Sequence, residues 1–320
     1  MLRIFTLLAA SLLTAVAAHA QDISKYPDHP VRVMVGFAPG SGPDIHARVV
    51  AQQLATDLGQ PFIVENRLGA NGTVAARAVA TSAPDGYTIL FSSSSIAPTQ
   101  YMYKNTGYDL LTDLKPVATQ GELDGIFMLV DSKFPVKTVP EFIEYAKKNH
   151  VFYGSPGVGN ELHLKAELFN QMAGVKMEHV PYKGASEVMT GLLGGSVQVM
   201  FVTPPSVMGL LKDERVRALA FTGSKPFPEF PDVPLMSKFL PGYVQGSWGM
   251  FFVQGKTPDA LAQKLNVAIH AALKKPAVAD RLQRDGYFPD TRNAEETATY
   301  FKDKVKEVGG LVKAAGIEAN

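Results

Sequence analysis

Val31, Val33, Val35 and Phe37 alternate with Arg32, Met34 and Gly36, the period of a strand, and the run stops at Ala38-Pro39-Gly40-Ser41-Gly42-Pro43. A helix is predicted to follow at once. Pro43 suits a first helical position, and Ala47, Val50, Ala51, Leu54 and Leu58 then fall on one face until Gly59. Short strands are predicted at 62–64, 88–91, 126–130, 151–153, 197–202 and 216–221, with helical patterns between many of them. This alternation predicts a mostly parallel α/β sheet. Toward the C-terminus the pattern is helical. Thr257-Pro258 opens a helix with Leu261, Leu265, Ala268 and Ile269 inward, and Asn293 with Glu296 has the spacing of a capping box.

A chain of 320 residues exceeds one compact α/β core. Residues 121–125 precede a strong strand, and residues 222–246 carry Pro226, Pro228, Pro231, Pro234 and Pro241, which suits chain leaving and re-entering a domain. The expected division is a discontinuous domain of residues 21–122 and 223–320 around a middle domain of residues 123–222, with a hinge where the two crossings meet.

The first twenty residues form a separate segment. They hold one basic residue, Arg3, no acid, an apolar stretch from Ile4 to Ala18, and Ala18-His19-Ala20 before Gln21. This is the pattern of a secretory signal peptide cleaved after Ala20, and the apolar run is too short for a spanning helix. The remainder would then carry 30 basic and 30 acidic residues. Zero net charge removes the basic field that nucleic-acid binding needs, and it weakens long-range steering of any charged ligand. The sequence has no cysteine, which excludes disulfides, thiolate nucleophiles and lipid attachment at a cysteine. A periplasmic location for the mature chain, without membrane insertion, is the expectation.

Two strand-to-helix turns stand out chemically. Phe37-Ala38-Pro39-Gly40-Ser41-Gly42-Pro43-Asp44 and Tyr153-Gly154-Ser155-Pro156-Gly157-Val158-Gly159-Asn160 both bring backbone N–H groups to a helix N-terminus, where dipole and unpaired donors favour an anion. One such turn in each domain, at the carboxyl ends of strands, is suited to clamp a small anion between them. The plain alternative is a glycine turn that merely joins two elements, with Asp44 as an ordinary first-turn acid. Ser92 to Ser95 add hydroxyls at the same sheet edge or form a solvated loop. Nucleotide binding is disfavoured because no lysine-serine/threonine pair follows the glycines and Ile45 occupies the third glycine position of the dinucleotide fingerprint. The seven histidines show no H-x-x-x-H pattern and no tight cluster with carboxylates, and no G-x-S-x-G motif follows a strand. No cofactor or metal is expected. His163 reads as a packing or capping residue, and Tyr182 as a pocket wall or, equally, as core.

Seven ordered blocks resemble the extracytoplasmic solute-binding receptors of tripartite tricarboxylate transporters, the Bug proteins. They are Tyr26-Pro27 with Pro30-Val31-Arg32, Val35-Gly36-Phe37-Ala38-Pro39-Gly40, Asp44-Ile45, Val64-Glu65-Asn66-Arg67, Pro84-Asp85-Gly86-Tyr87-Thr88, His179-Val180-Pro181-Tyr182-Lys183-Gly184 and Pro231-Asp232-Val233-Pro234. The resemblance implies a type II periplasmic binding protein of the Venus-flytrap kind: two α/β domains on a two-segment hinge that close on a small organic acid and deliver it to two membrane subunits, without catalysis. By position it implies ligand contacts at Phe37, Pro39, Gly40, Ser41 and Asp44, with Ser93 and Ser94 nearby, and at Gly159, Asn160, His163, Tyr182 and Thr203 across the cleft.

The chain departs from the family's pattern in two places. Ser41-Gly42-Pro43 stands where many members have glycine-glycine-threonine, and Val202-Thr203-Pro204-Pro205 stands where many carry Asp-Asn. If Val202 faces the cleft, a charge able to pair with a ligand ammonium is gone, and the expected ligand is a carboxylate without an amino group. A sensor acting through a signalling partner, or a secreted hydrolase or lyase, are the alternatives to a transport receptor.

Overall fold

The computed structural model describes residues 23–288 and 290–314, so the expected signal peptide lies outside the described residues. The chain builds two sheets. The first takes β1 (Val31–Val35), β2 (Phe62–Asn66), β3 (Thr88–Ser93), β4 (Leu114–Leu123), β10 (Ser247–Gln254) and β11 (Tyr287–Phe288), in the order β11-β4-β10-β3-β1-β2. The second takes β5 (Phe127–Asp131), β6 (Phe152–Ser155), β7 (Glu178–Pro181), β8 (Val199–Val202) and β9 (Val216–Phe221), in the order β7-β6-β8-β5-β9. The expectation of a mostly parallel sheet is corrected here. β1, β2 and β3 are parallel, as are β6, β7 and β8, but β10 runs antiparallel to both β3 and β4, and β5 runs antiparallel to both β8 and β9. These reversed strands adjoin the points where the chain passes from one sheet to the other.

Helices cover both faces of each sheet, which is why Met34, on the alternate face of β1, is as buried as Val33. The helix α1 (Gly42–Leu58) lies on one face of the first sheet, with Ala47, Val50, Ala51 and Leu54 buried beside Val31, Val33 and Val35. Gly59 ends it in the left-handed conformation. The other face takes α2 (Thr73–Ala80) and the last helix, α10 (Ala294–Ala314), whose Phe301 packs edge-on against Trp248. Between β3 and β4 lies the short α3 (Thr99–Met102). In the second sheet, α4 (Val139–Lys148) and α5 (Glu161–Ala173) cover one face, and α6 (Ala185–Leu193) with α7 (Met208–Lys212) cover the other. The C-terminal helices include α8 (Asp259–Leu273) and α9 (Pro276–Arg284). The capping box opening α10 is present: Asn293 N–H donates to Glu296 Oε2 (2.9 Å) and Glu296 N–H donates to Asn293 Oδ1 (3.0 Å).

The two crossings run side by side. Thr222, fully buried, accepts the Ile126 N–H at its hydroxyl (2.9 Å), donates that hydroxyl to the Gln245 carbonyl (2.6 Å), and so ties both crossing segments together. Their separation is small enough to require glycine: a Cβ at Gly125 would stand 2.2 Å from Gly223 N, and one at Gly246 would stand 2.3 Å from Leu123 O.

Candidate functional site

The carboxyl ends of the three parallel strands in each sheet face one another, and the loops leaving them form a seam. The loop after β1 meets the loops after β7 and β8: a Cβ at Gly184 would stand 3.9 Å from Ala38 Cβ, and one at Gly42 would stand 3.6 Å from Thr203 Oγ1. The turn after β2 meets the loop after β6, where Asn71 Nδ2 donates to the Val158 carbonyl (2.7 Å). The loop after β3 meets the start of α5, where Asn160 Nδ2 donates to Ser95 Oγ (3.1 Å) and Ser94 Oγ donates to Glu161 Oε2. The loops of the two sheets are therefore in polar contact along the seam.

The first loop is held from beneath. Asp44, 2% exposed, accepts the Gly40 N–H (2.8 Å), the Asn66 amide (2.8 Å) and the Arg48 guanidinium (3.1 Å). Burial pushes its carboxyl up, but these hydrogen bonds outweigh it and hold the group below the usual carboxylate range. Its oxygens are thus committed to its own domain, and Asp44 shapes the loop. Asn66 also donates to the Phe37 carbonyl (2.9 Å), so Phe37 is fixed at the start of the same turn while Pro39 and Gly40 are exposed. Ser41 differs from these: its hydroxyl oxygen is buried and has no hydrogen-bond partner among the described residues. A buried hydroxyl is ordinarily paired, and this one, beside a helix N-terminus at the seam, is free to donate to an acceptor.

The second loop is held by histidines. His163 Nδ1 accepts the Gly159 N–H (3.0 Å), and its ring stacks on His179 with centroids 4.0 Å apart. His179 Nε2 lies 2.6 Å from Ser155 Oγ, a hydroxyl that also donates to the Gly157 carbonyl at 3.0 Å. Burial pushes both imidazoles down to about 4, so at neutral pH they are uncharged: His163 accepts at Nδ1, and His179 donates its Nε2–H to the Ser155 oxygen, whose own proton goes to the Gly157 carbonyl. Asn160 caps α5 by accepting the Leu162 N–H (2.9 Å).

The structure thus brings most of the predicted residues to the seam while giving several a holding role. His163 is the packing and capping residue of the plainer reading. Tyr182 is half-buried: its ring packs against the apolar cluster under α6, and a Cβ at Gly191 would stand 2.4 Å from its hydroxyl. Ser93 accepts the Ser95 N–H (3.3 Å), and Ser94 is engaged with Glu161 and Ser247. Val202 is also corrected. It is 1% exposed among Leu129, Val188 and Met200, so it faces the core beneath α6, and Thr203 is the residue that reaches the first loop. The premise for excluding an ammonium group at that position is therefore gone.

Sequence reasoning missed two parts of this site and one buried pair beneath it. Glu161 and Lys165 form an ion pair (2.8 Å) with side chains only 10% and 7% exposed; Ser247 donates to Glu161 (3.0 Å) and Lys165 donates to the Gly246 carbonyl (2.6 Å). An i,i+4 acid–base pair usually lies in solvent, and nothing local marks this one as buried. Asn71 had only the turn signal of Asn-Gly. His46 and Asp285, 239 residues apart, pair at 2.8 Å despite the lack of any histidine–carboxylate cluster in the sequence; Arg281 binds the same carboxylate, burial pushes His46 down, and the group is a core strut at 1% exposure of the ring.

A cavity of about 290 Å³ opens on the hinge side of the seam, between the crossings, α5 and α10. Its lining has Glu122, Asp124, Glu161 and Glu307 against Lys165 and Lys304, an acidic balance that disfavours an anion.

Comparison with known proteins agrees with this geometry. A family model described as tripartite tricarboxylate transporter family receptor, TctC, matches residues 46–317. Protein BugT of Bordetella pertussis is 31% identical over 321 residues, covering 99% of this chain and 98% of that one. Two solved structures superpose over nearly the whole fold: R. palustris Rpa4515 with adipate (TM-score 0.87, 30% identity, 92% of this chain and 100% of that one) and MatC from Rhodopseudomonas palustris with bound malate (TM-score 0.83, 30% identity, 90% and 100%). With two mixed α/β domains on a double crossing, a seam of strand-to-helix loops, and a family match spanning most of its length, the chain belongs to the receptor family of the tripartite tricarboxylate transporters.

Proposed function

We propose that this chain is a periplasmic receptor that closes on a small organic acid and presents it to the membrane subunits of a tripartite tricarboxylate transporter. The observation that carries this is the seam itself. Two helix N-termini, those of α1 and α5, open from loops on the two sides of the seam, and the buried Ser41 hydroxyl beside one of them has no partner among the described residues. A carboxylate accepts hydrogen bonds only, which matches backbone N–H and hydroxyl donors. Structural relatives hold the dicarboxylates adipate and malate, which supports the same ligand class here. On this reading residues 1–20 are a signal peptide, residues 21–122 with 223–320 form one domain, and residues 123–222 form the other. Contacts to the acid come from Phe37, Gly40 and Ser41 with Thr203 opposite, while Asp44, Gly159, Asn160 and His163 set the loops.

The test is a thermal-shift and titration panel on protein starting at Gln21, stripped of ligand by reversible denaturation. Adipate, malate, citrate, aromatic carboxylates and acidic amino acids are compared, with Ser41→Ala alongside. A ligand at ~1,000 times its dissociation constant adds about 4 kcal/mol. A selective rise for one carboxylate, reduced in Ser41→Ala, is expected. If no carboxylate raises the melt, the seam is not an acid site.

A further inference from the structure

The turn between β2 and α2 is strained. Gly69, Ala70, Asn71 and Gly72 have φ of 130°, 45°, 55° and 91°, and two of the four carry side chains in a region that L residues rarely adopt. The strain is local to a close approach: a Cβ at Gly36 would stand 2.3 Å from Gly72 Cα, so the turn lies in backbone contact with the start of the first seam loop. What the conformation delivers is the Asn71 carboxamide. Its Nδ2 donates to the Val158 carbonyl (2.7 Å) and to Tyr103 Oη (3.2 Å), and a Cβ at Gly157 would stand 3.7 Å from its Oδ1. The amide is seated in the glycine loop of the other domain.

The position of this contact matters. Val158, Asn160 and Glu161 all meet the first domain, so residues 157–161 act as one strip along the seam. Glu161 meets Ser247, beside the crossings, whereas Asn71 follows β2, the edge strand separated from β10 by β1 and β3. The Asn71–Val158 bond is thus a tie across the seam separate from the Glu161–Ser247 contact, and it joins the turn packed on the start of the first loop to the glycine loop of the other domain.

We propose that Asn71 is a positioning residue that latches the closed receptor, so that ligand held by the facing loops is retained through the Asn71–Val158 bond. This rests on the receptor reading for its ligand arm only. Asparagine is among the few side chains that tolerate the left-handed region while carrying a donor, and glycine tolerates it without one. Asn71→Gly therefore removes the latch and leaves the turn, while Asn71→Asp keeps the shape and sets an acceptor against the Val158 carbonyl.

The chain has no native cysteine, so spin labels at Gln52→Cys and Lys176→Cys, exposed on different domains, report the interdomain distance directly. Without added acid, Asn71→Gly is expected to shift the distance distribution toward longer values and Asn71→Asp to shift it further, with the melting temperature of Asn71→Gly equal to or above that of the parent. With malate and adipate as probes, Asn71→Gly is expected to lose about five- to tenfold in affinity through faster dissociation, the range of one net hydrogen bond. A distance distribution identical to the parent's in both variants overturns the latch. Wild-type protein that binds neither acid, nor any other carboxylate of the panel, sinks the receptor reading and leaves the distance measurement to decide the latch by itself.

Discussion

Replacing Glu161 by methionine removes one end of a buried ion pair and leaves the other. Lys165 would keep the Gly246 carbonyl (2.6 Å), but its ammonium, 7% exposed, would lose the only carboxylate within ion-pair distance among the described residues. Stranding a buried charge costs about 3–5 kcal/mol, whereas replacing both members by apolar residues of similar volume is often neutral. Ser94 and Ser247 also lose their acceptor, at about 1 kcal/mol or more each where the hydroxyl stays buried. At about 2 °C per kcal/mol for a chain of this size, the combined loss of about 5–7 kcal/mol is expected to lower the melting temperature of Glu161→Met by about 10–14 °C. Lys165→Met should cost a similar amount, and the double variant less than either. Circular-dichroism melts with denaturant titrations of the four proteins give the coupling energy by a double-mutant cycle. Additive losses, or a Glu161→Met protein as stable as the parent, would refute the argument that the pair is a desolvated unit bridging α5 and the hinge.

The histidine pair predicts a pH dependence. His163 and His179 are held at about 4 in the folded chain, against about 6.5 free, so between those values the unfolded state binds more protons and stability falls as pH drops from 6.5 toward 4. For buried His163 the full effect is about 3 kcal/mol, with less from half-buried His179 because water screens it; His163→Asn, which offers an amide oxygen to the Gly159 N–H, should flatten the melting temperature across that window. Asp44→Ala should lose about 2–3 kcal/mol at neutral pH and release the Gly40 N–H, and proteolysis at the 37–43 loop should accelerate; unchanged protection there would show that Asp44 does not hold the turn. Val202→Asp places a carboxylate at 1% exposure in the core and should cost 3 kcal/mol or more, roughly, with loss of soluble protein; a changed ligand preference with an unchanged melt would restore the cleft-facing reading.

The elements that sequence made legible are those whose signals are local. β1 and α1 follow from alternation, a proline at the helix start and a glycine at its end, and the box at Asn293 and Glu296 is a four-residue pattern. β4 escaped because Pro116 and Gly121 argue against a central strand; the fold accommodates Pro116 next to a register shift against β10, between Phe251 and Phe252. The sheets' mixed direction escaped for a related reason, since periodicity reports which face a residue occupies and carries no strand direction. At the site the same division holds. Both glycine turns were visible because backbone donors at a helix start are a local property; at the seam the first meets the loops after β7 and β8, and the second meets the turns after β2 and β3. The side chains that join the domains were not, because Glu161, Lys165 and Asn71 read locally as a solvated pair and a turn residue. Their partners, Ser247, Gly246 and Val158, lie 86, 81 and 87 residues away in sequence. The seam is thus held by residues whose role exists only when both of its sides are in place, which is why reading either side alone did not reveal them.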